Sequence, residues 1–177
     1  EYGMSLAVGD CSGDGKRDVA VGSTGSDIWI HKGGFTKATG ATSRYKLATD
    51  LYSTGYSIHG AQSLAAGDLN GDGTSDLVVS GTQTQTYDDG TFVYLGSASG
   101  LTRQTFLRNG AYELAAVGDL NGDGYADVVT ATYGDEGRTS LGGSVSAYLG
   151  SAAGVGTQPQ TTITQDTPGV PGSDEEG

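Results

Sequence analysis

Nine of the 21 acidic residues fall in three short segments of one pattern, D-x-[NS]-G-D-G-x-x-D. Asp10, Ser12, Asp14 and Asp18 hold positions 1, 3, 5 and 9 of the first segment. Asp68, Asn70, Asp72 and Asp76 hold them in the second, and Asp119, Asn121, Asp123 and Asp127 in the third. A hard cation such as Ca2+ takes about six to eight oxygen ligands, and a tightly coiled loop supplies them from alternate residues. Gly15, Gly73 and Gly124 at position 6 permit the sharp turn, and the position 7 carbonyls of Lys16, Thr74 and Tyr125 are expected as backbone ligands. Without a cation, three carboxylates within nine residues repel one another. We therefore expect three Ca2+ sites. The first is expected to be the weakest, because Ser12 offers a hydroxyl where the others offer an amide carbonyl.

Other chemistries fit these residues less well. An EF-hand would carry its bidentate Glu at position 12, where this chain has Val21, Val79 and Thr130. No G-x-S-x-G elbow is present. Gly15-Lys16 does not end a phosphate loop, since Asp10 stands at the upstream Gly position and Arg17 replaces the Ser/Thr. Asp76 stands where a dinucleotide motif beginning at Gly71 needs its third Gly. His31 and His59 have no paired nucleophile or zinc-ligand spacing and read as strand or turn residues. No catalytic residue is assigned.

The elements that position the loops recur with them. Ser5-Leu6-Ala7-Val8-Gly9, Ser63-Leu64-Ala65-Ala66-Gly67 and Leu114-Ala115-Ala116-Val117-Gly118 each lead into a loop, and the first aspartates lie 58 and then 51 residues apart. A second phrase follows two of the loops: Tyr94-Leu95-Gly96-Ser97-Ala98-Ser99-Gly100 and Tyr148-Leu149-Gly150-Ser151-Ala152-Ala153-Gly154. In the second unit, four short runs rich in β-forming residues are bounded by Gly, Asn, Asp and Ser: 62–66, 76–80, 91–95 and 103–107. No segment sustains a helical period. Four antiparallel strands per unit of about 50 residues is the build of a β-propeller blade. The expected class is all-β, with about three blades at 1–60, 61–110 and 111–165 and a proline-bearing tail or linker at 166–177.

Composition taken alone would mislead. Leu, Ile, Val and Phe make up 32 of 177 residues and the net charge is −12, a pairing typical of disordered chains. Three divalent ions would halve that charge. The acidic balance, with only nine Lys and Arg, excludes a nucleic-acid partner. No run approaches the ~18 apolar residues that insert into a membrane. One cysteine, Cys11, allows no internal disulfide; standing where the other loops have Leu69 and Leu120, it reads as a small buried hydrophobe.

The three loops and their Leu-Ala-x-Gly-Asp lead-in resemble the FG-GAP repeats of integrin α-subunit propellers and their bacterial secreted relatives, over about residues 1–165. Tyr2-Gly3, His59-Gly60 and Asn109-Gly110 stand where that family has Phe-Gly. Gly22-Ser23 and Gly81-Thr82 remain of its Gly-Ala-Pro element, and the third unit keeps nothing clear. The resemblance carries the calcium assignment and no integrin-specific ligand site. Propellers close with about four to eight blades. Three blades are thus expected to be a piece of a longer propeller, in preference to a subunit of a ring completed by a homo-oligomer.

The expected function is a non-catalytic, calcium-stabilised recognition module, secreted or at the cell surface, binding a glycan or protein through loops on one face. The alternative is an accessory propeller, or fragment, of a secreted hydrolase. Tyr52, Tyr56, Tyr87 and Tyr133, and the loops 83–89 and 134–141, are the candidate contacts.

Overall fold

The computed structural model describes residues 2–23, 27–35, 43–47, 58–83, 88–107, 114–132 and 143–170. These form twelve strands: β1 (Tyr2–Gly9), β2 (Asp18–Ser23), β3 (Ile28–His31), β4 (Arg44–Lys46), β5 (Ile58–Gly67), β6 (Asp76–Gln83), β7 (Asp89–Leu95), β8 (Thr102–Leu107), β9 (Leu114–Gly118), β10 (Asp127–Thr132), β11 (Ser144–Tyr148) and β12 (Thr161–Thr164). They pair in chain order into three four-stranded sheets, β1–β4, β5–β8 and β9–β12, with every pairing antiparallel. No helix occurs among the described residues, and so none long and apolar enough to cross a membrane. These are the expected blades, named blade 1 to blade 3 below.

Burial shows how the blades stack. In blade 1, β3 alternates buried and half-buried residues, as a sheet covered on one face does. In blade 2, β7 buries Thr91, Phe92, Val93 and Tyr94 in succession, because that sheet is covered on both faces. Two cores result. Between blades 1 and 2 lie Ala7, Ala20, Ile28, Ile30 and Leu47 against Leu64, Leu77, Val79, Phe92 and Tyr94. Between blades 2 and 3 lie Leu69, Val78, Val93 and Leu107 against Val128, Tyr148 and Val155. The first strands β1, β5 and β9 contact one another in turn, as strands around a propeller axis do.

Strand ends differ from the sequence reading. β5 starts at Ile58, so a blade boundary after residue 60 cuts a strand. The register shifts between His59 and Ser63, and likewise between Tyr2 and Ser5, where Gly3 has φ 87°. Gly3 and Gly60, the glycines of the first two degraded Phe-Gly pairs, thus lie in bulges that the first strand absorbs without ending. Asn109-Gly110 lies outside the described residues.

Candidate metal centre

Each loop leaves the first strand of its blade and re-enters the sheet at position 9. In loop 2 the Asp68 carboxylate closes the turn from within: Oδ1 accepts the N–H groups of Gly71 (2.7 Å) and Asp72 (3.1 Å), and Oδ2 that of Gly73 (2.8 Å). Asn70 Oδ1 accepts Asp72 N–H, and Asn70 Nδ2 donates to Asp72 Oδ2. Asp72 Oδ1 accepts Thr74 N–H at 2.8 Å. Loop 3 repeats this bond for bond around Asp119, Asn121 and Asp123, apart from the second donation to Oδ1. Loop 1 keeps the bonds from Asp14 and Gly15 to Asp10 and from Lys16 to Asp14. Gly15, Gly73 and Gly124 have φ between 80° and 91°, a left-handed turn that side chains resist.

Position 9 has a structural task. Asp76 is fully buried, with Oδ1 accepting Gly96 N–H (2.8 Å) and Oδ2 accepting Leu69 N–H (2.7 Å). Asp127 does the same with Gly150 and Leu120, and Asp18 with Gly33. The carboxylate thereby ties the loop's start to the end of the third strand. Burial raises the Asp76 carboxyl to about 6, with Asp72 and Asp68 pushing the same way and the two donated N–H groups opposing. Burial, then Asp18, Asp76 and Asp10, lifts the Cys11 thiol to about 12, and the side chain is 1% exposed. That is an inert, buried thiol.

The glycines that clamp position 9 (Gly33, Gly96 and Gly150) and the position 8 residues Ser75 and Ala126 hold the loops, and sequence reasoning did not single them out. A Cβ on Gly96 would press into Ser75 O and stand 2.8 Å from Thr74 Cγ2; on Gly150 it would press into Ala126 O. The signal was available in the repeated Tyr-Leu-Gly-Ser phrase, whose serines also close turns onto Gly100 O and Gly154 O. The loop tyrosines Tyr52, Tyr56, Tyr87 and Tyr133, loop 134–141 and the centre of loop 83–89 lie outside the described residues. His31 ends β3, its ring edge-on to Tyr2 at 6.2 Å.

The donor set suits a hard divalent cation, being entirely oxygen: carboxylates, an amide or hydroxyl, and a backbone carbonyl. Among the described residues no three carboxyl, thiol or imidazole groups gather into a cage by themselves, so any ion would need the mixed set. In loop 1, two buried oxygens, Ser12 Oγ and Asp18 Oδ2, have no hydrogen-bond partner. An unpartnered buried carboxylate oxygen is costly, and a cation would satisfy it.

Consecutive four-stranded antiparallel sheets, each carrying one Asp/Gly loop between its first two strands, define β-propeller blades. Residues 10–79 match the FG-GAP-like repeat and residues 111–148 the FG-GAP repeat. The chain belongs to the FG-GAP repeat family. It is 32% identical to integrin alpha-PS2 of Drosophila melanogaster over 91% of its own length and 12% of that protein's. It is 31% identical to integrin alpha pat-2 of Caenorhabditis briggsae (91% of this chain, 15% of the relative) and 27% identical to integrin alpha-5 of Xenopus laevis (92% and 16%). The chain therefore spans less than a fifth of the length of these relatives.

Proposed function

We propose that the chain is a calcium-stabilised, non-catalytic adhesion-type propeller segment, working outside the cell and presenting its loops to a protein or glycan partner. Kinship with integrin α subunits supports the adhesion role. The observation that carries the calcium reading is the set of three oxygen-lined loops that share the amide donations to positions 1 and 5, one of which leaves Ser12 Oγ and Asp18 Oδ2 buried without a partner. Asp10, Ser12, Asp14, the Lys16 carbonyl and Asp18 would hold the first ion. Asp68, Asn70, Asp72, the Thr74 carbonyl and Asp76 would hold the second, and Asp119, Asn121, Asp123, the Tyr125 carbonyl and Asp127 the third. The ion supplies charge neutralisation and a fixed loop shape; the chain's own groups orient the loop and exclude water from its base.

Extracellular calcium modules bind at about 10⁻⁴–10⁻³ M. At ~1 mM calcium and a Kd of ~10⁻⁴ M, each site adds about 1.4 kcal/mol, or about 4 kcal/mol for three. For a chain of this length that is roughly 10 °C in Tm. The test is calorimetric calcium titration together with melting in calcium and in EDTA. Binding near 10⁻⁴ M and a Tm drop of that order are expected; no heat and an unchanged melting curve overturn the reading.

A further inference from the structure

The loops are not isolated from one another. Asp10, at position 1 of loop 1, is held through its peptide groups by position 8 of loop 2: Ser75 N–H donates to Asp10 O at 2.9 Å, and Asp10 N–H donates to Ser75 Oγ at 3.1 Å. Asp68, at position 1 of loop 2, is held by position 8 of loop 3, with Ala126 N–H donating to Asp68 O at 2.8 Å. Packing follows the same route. A Cβ on Gly9 would stand 2.6 Å from Ser75 Cβ, and one on Gly67 would stand 3.2 Å from Ala126 Cβ. The Tyr125 ring belongs to loop 3 but lies on loop 2, with Cε1 2.7 Å from where a Gly71 Cβ would be.

We propose that the three loops bind cations as a nearest-neighbour chain, in which the loop of each following blade positions the first ligand of the loop before it. The inference rests on the calcium reading above. Positions 7, 8 and 9 are contiguous, so an ion that fixes the position 7 carbonyl and position 9 carboxylate of loop 2 also fixes Ser75 between them. Ser75 in turn holds the Asp10 peptide and so the carboxylate that opens loop 1. Loop 3 and loop 2 stand in the same relation through Ala126 and the Tyr125 ring. Linkage makes each coupling reciprocal. Tyr125 and Ser75 are positioning residues for the preceding site.

Among the described residues loop 3 has fewer such contacts. Among the described residues nothing lies within 4 Å of a Cβ placed on Gly118 or Gly122, whereas one on Gly9, Gly67, Gly13 or Gly71 would meet neighbours. Leu120 is 58% exposed, whereas Leu69 and Cys11 at the same position are 0% and 1%.

The amides of Gly15, Gly73 and Gly124 each donate to the position 1 carboxylate of their own loop, so their NMR shifts report the three sites separately. The experiment titrates calcium into the 177-residue chain and its variants. Asp123→Ala, which disables loop 3, is expected to raise the Gly73 midpoint about fivefold while leaving Gly15 within twofold. Asp72→Ala is expected to raise both neighbours. Two milder variants borrow residues that the repeat already carries at those positions. Tyr125→Thr is expected to raise the Gly73 midpoint by more than the Gly124 midpoint, with Tyr125→Phe, which keeps the ring, near wild type. Ser75→Ala is expected to raise the Gly15 midpoint about threefold. A purely structural loss would lower Tm without this neighbour pattern. Saturating shifts with midpoints indifferent to the neighbouring loops overturn the coupling alone; no calcium response at any of the three amides overturns the calcium reading as well.

Discussion

Replacing Gly96 by alanine tests the clamp at the base of loop 2. The new Cβ would collide with Ser75 O, and would sit 2.8 Å from Thr74 Cγ2 and 3.1 Å from Ser75 C. Two of these obstacles are backbone atoms of the loop itself, so relief requires moving Gly96 away from Asp76. That breaks or stretches the 2.8 Å donation from Gly96 N–H to a fully buried carboxylate oxygen. A hydrogen bond to a charged group is worth about 1.5–3 kcal/mol, and overpacking costs about 1–3 kcal/mol. The expected loss is about 4 kcal/mol. Gly73→Ala, in the same loop, is the control: its Cβ meets nothing within 4 Å, and only the φ of 84° is unfavourable, at about 1–2 kcal/mol. Urea unfolding in saturating calcium, followed by circular dichroism, measures both. If Gly96→Ala costs no more than Gly73→Ala, the clamp does not hold the loop and the reasoning is wrong.

Three further expectations follow from the same packing. Cys11, 1% exposed and with its thiol pushed up to about 12, should not react with an aromatic disulfide reagent at pH 8 until the chain unfolds; rapid labelling of the folded chain would contradict its burial. Gln104 donates from Nε2 to Ala153 O and Val155 O and accepts Val155 N–H at Oε1, clasping blade 3 to blade 2. Gln104→Ala should cost about 1–3 kcal/mol in urea unfolding and speed amide exchange at Val155, and unchanged exchange there would refute the clasp. Phe92, fully buried with its ring 4.6 Å from that of Phe106, should cost about 3–5 kcal/mol on truncation to alanine, whereas Leu6→Ala, 61% exposed, should fall within about 0.5 kcal/mol; comparable losses from the two would undo the stacking order.

Much of the architecture was legible because the pattern repeats. The loop spacing located the turns, and runs such as Leu77-Val78-Val79 and Phe92-Val93-Tyr94 located the strands around them. Glycine hid the strand ends. Gly81 and Gly90 read as breakers, yet they pair with each other inside β6 and β7, and Gly90 is required there because Leu107 O and the Phe106 ring occupy the space of a side chain. Of the candidate centre, the residue types marked out the loops, and the structure gives their carboxylates matching hydrogen bonds. The cross-blade bonds were not readable, since the bond common to Ser75 and Ala126 comes from a backbone N–H that every residue but proline possesses; only Ser75 adds its hydroxyl. Their small side chains were the trace left in the sequence, meaningful only once Gly9 and Gly67 are seen to lie against them.

That seam between blades bears on how such a protein grows. The second repeat carries both halves of the joint: a glycine and an aspartate peptide at the end of its first strand, Gly67 and Asp68, and a position 8 residue, Ser75, that fits against the same feature of the repeat before it. A repeat of that build presents to the blade after it the same feature that it docks against on the blade before it, so one joint serves at successive seams. The constraint falls on a single small side chain. Ser75 and Ala126 carry it at the two junctions the structure describes.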